Sequence, residues 1–338
     1  MAYYANTVLL DALTKLDDQA NKDLRAPAYG VTRAFNDRKR NVIQNYDVFA
    51  KQNSDIDLQA QKVDYLRKHT VALGSSRAAS LTGAYGDSTR DTLTWATYTR
   101  EWTLSDDNMR DNTLGAKMLA TAIKNARLDI GAGIESAGVT KLEAFRNTVD
   151  VSSAHSTWDS VGYVNQVANA NEDRYFNIME TEMRMRDYNG PLQIINYGTM
   201  NEVMNWQLAQ SVGNSSNLQF QYGDKMFYTS NSITSASDYV GISYVVEEDS
   251  LALVDWIPAK NRESLADHND MSFTSIPDPF GIFGPLALAV QKAVVSNAVA
   301  GGNTQDAVWK YELSVDVAFF IPTITTSKLV NKYGLTTA

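Results

Sequence analysis

Reactive side chains are few in this sequence, and their spacing is poor for chemistry. The chain has three histidines, His69, His155 and His268. None has a second histidine at metal-ligand spacing. There is no cysteine, which removes disulfides and thiolate metal sites and fits a reducing compartment. Gly131-Ala132-Gly133 lacks the third glycine of a phosphate-binding loop and follows a helical pattern instead of a strand. The sequence has neither a P-loop nor a Gly-x-Ser-x-Gly elbow. Glu247, Glu248 and Asp249 adjoin one another, but neighbours on a strand point to opposite faces. They read as a strand end meeting solvent, not as a paired acid and base. Asn214-Ser215-Ser216 matches a glycosylation acceptor, without a secretory context. No catalytic residue, cofactor site or metal site is expected, and an enzyme is disfavoured.

The aromatic residues offer more. Trp158, Trp206, Trp256 and Trp309 fit core anchors, whereas Trp95 and Trp102 lie in a threonine-rich stretch, polar on both faces. Asp91–Leu104 (DTLTWATYTREWTL) reads as a strand. With the extended stretch 69–81 and the turn Thr82–Ser88, it makes a long hairpin. A lone hairpin is marginal in water and must rest on something outside its own domain. Tyr85, Trp95, Tyr98, Arg100 and Trp102 are therefore the candidate contact residues, because aromatic and arginine side chains are enriched at interfaces.

The elements around this hairpin follow from periodicity. Val8, Leu9, Ala12, Leu13 and Leu16 space as a helix over 6–24, ended by Pro27 and Gly30. Residues 31–68 are thinly apolar and mixed in charge (Arg33, Arg38, Lys39, Arg40, Lys51, Lys62, Arg67, Lys68), so they read as an arm or a solvated helix. Ser105 caps a helix from Asp106 to Ile130, with Leu119, Ala122, Ile123, Ala126 and Ile130 as its apolar stripe. Lys117, Lys124, Arg127 and Asp129 take the wet side, and Gly131 and Gly133 stop it. Asn165–Tyr188 reads as a helix and Pro191–Asn196 as a strand. Thr199 and Glu202 are spaced as a capping box. Strands follow at Leu218–Tyr222, Lys225–Thr229, Ile242–Glu247 and Leu251–Trp256. Pro285–Val299 can form a helix. Tyr311–Ile321 alternates cleanly as a strand that Pro322 ends.

Composition allows one large or two medium domains in 338 residues. The net charge of −9 argues against a nucleic-acid coat, although an acidic wall can lie beside packaged DNA without holding it. The opening residues MAYYANTVLLDALTK carry no basic leader, so no secretory signal is expected. Phe280–Ala300 is too interrupted to span a bilayer.

The order of elements, with Trp95–Ser105, Pro191–Ile195 followed by Thr199–Gln210, Gly241–Trp256 and Trp309–Pro322, resembles the major capsid proteins of tailed bacteriophages with the Hong Kong 97 capsid fold. That resemblance implies an α+β chain. Residues 1–68 would be an N-terminal arm and 69–105 an E-loop hairpin. Residues 106–150 would be a peripheral domain with a spine helix, 151–265 an axial α/β domain, and 266–338 the return to the peripheral domain. It further implies self-assembly in pentamers and hexamers into an icosahedral head shell around double-stranded DNA. Scaffold, portal and decoration proteins would be partners, the location would be the virion after assembly in the host cytoplasm, and no membrane would be involved. No lysine lies between Lys68 and Lys117, so the hairpin cannot supply a cross-linking lysine and the shell is expected to be non-covalent. No cleaved N-terminal segment is expected. The alternatives are an encapsulin-like compartment or another phage part such as a tail tube or decoration protein.

Overall fold

The computed structural model describes residues 11–15, 29–37, 39–43, 62–66, 88–110, 112–150, 152–185, 192–201, 219–222, 225–247, 249–257, 271–278, 281–299, 302–322 and 330–337. Within them the chain is α+β, built on two large sheets and a long helix. The first strands, β1 (Lys62–Leu66) and β2 (Ser88–Thr92), pair antiparallel as a ribbon of their own. The next, β3 (Ala96–Ser105), leads into a short helix, Asp106–Arg110, and then the long helix Asn112–Phe145. Strands β4 (Thr157–Asp159), β5 (Val164–Val167), β6 (Leu192–Asn196), β7 (Gln219–Tyr222), β8 (Lys225–Ser230) and β9 (Tyr239–Val246) follow. The last five are β10 (Ala252–Trp256), β11 (Met271–Ile276), β12 (Leu286–Val299), β13 (Gly302–Phe320) and β14 (Val330–Thr336).

The seven-stranded sheet runs β4-β5-β14-β9-β6-β8-β7, so the last strand of the chain lies inside it. The second sheet runs β10-β13-β12-β11, with β3 also paired to β13. Sheet membership thus cuts across the limits at 151–265 and 266–338. Ala252–Trp256 pairs with Asp316–Phe320 in the second sheet, while Val330–Thr336 pairs with β9 and β5 in the first. Alternation explains the burial. Leu313, Val315 and Val317 on β13 face the long helix with Leu286 and Leu288 of β12, all buried. Burying each of these side chains fully stabilises by roughly 1.5–3 kcal/mol.

Ser105 caps the first turn as its position suggests, its hydroxyl accepting the Asn108 N–H at 3.4 Å. The helix that follows does not stop at Gly131. It runs 34 residues to Phe145, about 51 Å at 1.5 Å per residue. The glycines are close-packing sites. A Cβ on Gly131 would lie 2.6 Å from Arg127 Nη1 and 2.7 Å from the Tyr29 ring, and one on Gly138 would lie 2.7 Å from Val31. Tertiary packing overrides the helix-breaking tendency. Leu119, Ile123, Ala126 and Ile130 are buried as expected. Arg127 is not on a wet side: it is fully buried and forks onto Asp278 at 2.5 and 2.9 Å.

Three further expectations need correction. Pro285–Val299 is no helix: Leu286–Val299 is a strand, in register from Ala287 to Val299 with Gly302–Ser314 of β13. Asn165–Tyr188 divides into the end of β5, a 3-10 turn at Asn169–Arg174 and a helix at Tyr175–Arg184. Thr199 does not cap its helix, which begins at residue 197. Asn196 accepts the Thr199 N–H at 3.0 Å, and Glu202 lies outside the described residues. The helix of 6–24 is described only at 11–15, where it is helical.

Gly30 opens a helix, Gly30–Asp37. A Cβ there would sit 2.0 Å from the Thr229 carbonyl oxygen, so only glycine permits this approach. Val31, Ala34 and Phe35 are buried in the main core, and Val42 and Ile43 in a second cluster with Ala252, Val254, Ala318 and Phe320. Gly30–Asp37, Val42 and Ile43 therefore pack into the cores of their own chain and are no solvated helix; residues 44–61 of the expected arm lie outside the described residues.

Candidate assembly surface

The contact residues expected on the hairpin do not share one exposed arm. Tyr85 lies outside the described residues. β3 pairs along β13 from Ala96↔Val317 to Ser105↔Val308, and among the described strands β2 pairs with β1; the expected strand at 69–81 lies outside the described residues. Trp102 stacks on Tyr311 with ring centroids 5.5 Å apart, and Tyr98 lies against Gly133 of the long helix. Arg100, on the same face, pairs with Asp129 at 2.9 Å, both side chains more than half exposed. Trp95 meets Trp256 edge-on at 6.1 Å. Each of these four thus has a partner in its own chain. The even spacing of Tyr98 and Trp102, matched to the odd face of Tyr311–Val317, is the sequence signal for this pairing.

The polar face of β3 is the exposed one, carrying Thr97, Thr99, Glu101 and Thr103. Thr97 donates its hydroxyl to buried Asp316 at 2.6 Å, so Asp316 is not on a solvated face, as the alternation of β13 alone suggests.

Two features are only two strands wide among the described strands. One is the β1–β2 ribbon, which forms a two-stranded sheet by itself. The other is the outer part of the β12–β13 hairpin. β11 accompanies β12 only as far as Gln291, and β3 accompanies β13 only from Val308. Beyond these points Val294–Val299 and Gly302–Ala307 pair only with each other among the described strands. Asp106 braces the root of this hairpin. It accepts the Trp309 indole N–H at 2.8 Å and pairs with Lys292 at 2.9 Å, and the Lys292 ammonium lies over the Trp309 ring. Reading Leu286–Val299 as a helix hides this feature in the sequence.

The buried ionisable groups act as ties between elements. Glu135 of the long helix accepts the Val31 N–H at 2.9 Å and the Thr32 N–H at 2.8 Å. Burial pushes its carboxyl above the usual range, against the pull of hydrogen bonds from Ser230, Thr32 and Val31. Glu182 accepts hydrogen bonds from Ser153, Ser156 and Tyr333. Glu143, near the end of the long helix, binds Tyr244, Arg146 and Lys332. Burial alone would raise its carboxyl, but the Lys332 and Tyr244 hydrogen bonds and the two nearby cations hold it below the usual range. Burial also pushes the Tyr29 phenol up to about 12, and its hydroxyl donates to the Leu128 carbonyl at 3.0 Å.

Among the described residues no three His, Asp or Glu side chains gather as a metal site would need, and no helix is long and apolar enough to cross a membrane. His155 is exposed; His69 and His268 lie outside the described residues. At the acidic run, Asp249 has a left-handed φ of 60° and Ser250 donates to the Glu247 carbonyl at 2.6 Å, a turn closing β9.

No family model matches the sequence, and no curated protein does. Solved structures do match the fold. A chain of the Cyanophage A-1(L) capsid asymmetric unit superposes with a TM-score of 0.52 at 12% identity, covering 82% of this chain and 88% of that one. Chains from Mycobacterium phage Che8 (TM-score 0.45, 9% identity, 87% and 89% covered) and the Cyanophage Pam1 capsid asymmetric unit (0.44, 8%, 88% and 89%) are more distant. The protein has the fold of the Cyanophage A-1(L) chain over most of the length of both.

Proposed function

We propose that this chain is a major capsid protein, a structural subunit that self-assembles into the shell of a tailed bacteriophage head. The shared fold with a chain of the Cyanophage A-1(L) capsid asymmetric unit carries this reading. The two-stranded ribbons support it. A subunit that must meet several copies of itself needs strands that leave its own core, and two-stranded ribbons are marginal until something covers them. Head-to-tail contacts between identical subunits close into rings, and many weak ones sum to a stable shell while leaving errors correctable.

In this reading the long helix Asn112–Phe145 is the spine of the peripheral domain, the seven-stranded sheet is the core of the axial domain, and the β1–β2 ribbon belongs to the E-loop. Rings of five and six subunits form the shell, in the host cytoplasm, with scaffold, portal and decoration proteins as partners. Packaged double-stranded DNA lies near the inner face, held by no sequence-specific contact. Trp95, Tyr98, Arg100 and Trp102 shape the outer strand for a neighbour while anchoring it to their own subunit. Tyr85 belongs to the same contact set.

Electron microscopy of the purified protein, expressed alone and with its neighbouring genes, tests this. Closed shells, tubes or rings of five and six are the expected result. A particle that stays monomeric under every condition, with candidate scaffolds included, overturns it.

A further inference from the structure

The outer part of the β12–β13 hairpin combines three properties. It runs six residues of β12, Val294–Val299, or about 20 Å at 3.3 Å per residue, beyond any third strand among the described residues. Its sequence carries no charge from Ala293 to Gln305, between Lys292 and Asp306. Its core-facing stripe also continues past the core. Leu286, Leu288 and Val290 alternate along β12 against the long helix, Lys292 closes that stripe over Trp309 and Asp106, and Val294 follows on the same face, 66% exposed. Natural sheets guard such projecting edges with charge or proline, and this one has neither.

The same chain holds a surface of matching character. β11, Met271–Ile276, is an edge strand: it pairs with β12 on one side and with no described strand on the other. It too is uncharged (MSFTSI), with Ser272, Thr274 and Ser275 exposed and Phe273 half-buried. The hairpin cannot fold back onto the β11 of its own subunit. Both lie in one sheet on the same strand, and the hairpin runs on from the Met271↔Gln291 end.

We propose that the uncharged outer hairpin of one subunit adds to the free β11 edge of a second copy, a head-to-tail strand pairing. Backbone hydrogen bonds supply the affinity, and Val294 gains the cover that its own helix does not reach. The contact is heterologous, so repeating it closes a ring when the rotation between neighbours divides a full turn. This inference rests on the shell reading and names the partner of one of its surfaces.

The absence of native cysteine makes the test direct. Val294→Cys and Thr274→Cys subunits, each able to form shells, are treated with a short bismaleimide and run on a denaturing gel. Shells of either variant alone should stay monomeric on the gel, co-assembled shells should give a dimer, and the double variant a ladder. Shells that form but give no Val294–Thr274 cross-link overturn this inference and leave the shell reading standing. So does a Val294→Cys shell that dimerises by itself, since hairpin would then meet hairpin. Val294→Lys should leave the subunit folded by circular dichroism and abolish assembly. Shells from Val294→Lys at the wild-type yield overturn the inference as well. Failure of the wild type to assemble, read first by microscopy, overturns the shell reading itself.

Discussion

The carboxylate of Glu135 accepts both the backbone N–H of Thr32, at 2.8 Å, and its side-chain hydroxyl, at 2.7 Å. This single group joins the long helix to the start of Gly30–Asp37. That short helix in turn touches the seven-stranded sheet, where Tyr228 donates to Asp37 at 2.8 Å. Beyond its end, Lys39 reaches Asp255 of the other sheet at 3.2 Å. Gly30–Asp37 and Lys39 together tie both sheets to the long helix. Glu135→Ala leaves buried N–H donors without an acceptor and should cost about 3–5 kcal/mol. Thr32→Val, which removes only the hydroxyl, should cost about 1 kcal/mol. Urea denaturation of the unassembled subunit measures both. Equal small losses would mean that this tie is not held through Glu135.

A pH dependence follows from Glu143. Its folded-state carboxyl lies below the usual range because Lys332, Tyr244 and Arg146 surround it, despite the opposing effect of burial. A carboxyl with a depressed value stabilises the fold above its unfolded value of about 4.3. That contribution is lost as pH falls through the lower folded value. Glu143→Gln should therefore flatten the acid limb of the stability–pH curve and leave the limb above neutrality unchanged. Thermal melts from pH 7 down to pH 3 provide the comparison.

The fully buried Arg127–Asp278 pair fixes the turn before β12. Asp278 also accepts the N–H groups of Ile282 and Phe283, each at 2.9 Å, and the Arg127 guanidinium lies 4.6 Å from the centre of the Phe283 ring. Removing one partner strands the other charge in the core. Arg127→Met should cost about 3–5 kcal/mol, and pairing it with Asp278→Asn should recover part of that loss. A double-mutant cycle on the subunit measures the coupling. Additive losses would show that the two side chains act independently.

How far the sequence discloses this fold depends on how local the deciding interactions are. The alternation of Tyr311–Ile321 states a strand with one face in the core, and β13 has it. Ser105 and the stripe Leu119–Ile130 likewise carry their own instructions. Leu286–Val299 does not. Its leucines and valines suit a period of two as well as a helix, and its alanines, Gln291 and Lys292 favour helix. The pairing with β13 and β11 decides, and no short window contains it. Gly131 and Gly133 are misleading for a related reason: they look like stops until Tyr29 and Tyr98 are packed against them. Arg127 shows the same for charge, because its partner is 151 residues away. Trp95, Tyr98, Arg100 and Trp102 stand together in the sequence, but the partners Tyr311, Asp129 and Trp256 come from other parts of the chain.

Gly131 offers a sharp test of packing against propensity. Alanine is the better helix former by about 1 kcal/mol in a helix interior. At this position its Cβ would lie 2.6–2.7 Å from Arg127 Nη1 and the Tyr29 ring. Overpacking of this kind costs about 1–3 kcal/mol, so Gly131→Ala should destabilise the subunit despite the better propensity. A stabilised Gly131→Ala in thermal melts would mean that Tyr29 moves aside freely.

Trp102 separates an intramolecular role from a purely inter-subunit one. Its ring stacks on Tyr311, nearly parallel at 8°, within the core formed with the long helix. Trp102→Ala should therefore lower the stability of the unassembled subunit, by about 3 kcal/mol if the cavity does not collapse. Arg100→Ala, which loses only the exposed pair with Asp129, should change it by less than about 1 kcal/mol. If Trp102 served a neighbouring subunit alone, the isolated subunit would melt as the wild type does and only assembly would suffer. Chemical denaturation before assembly, followed by light scattering during it, distinguishes these cases. The stack with Tyr311 places the first loss in the subunit itself, with any assembly defect following from a displaced β3.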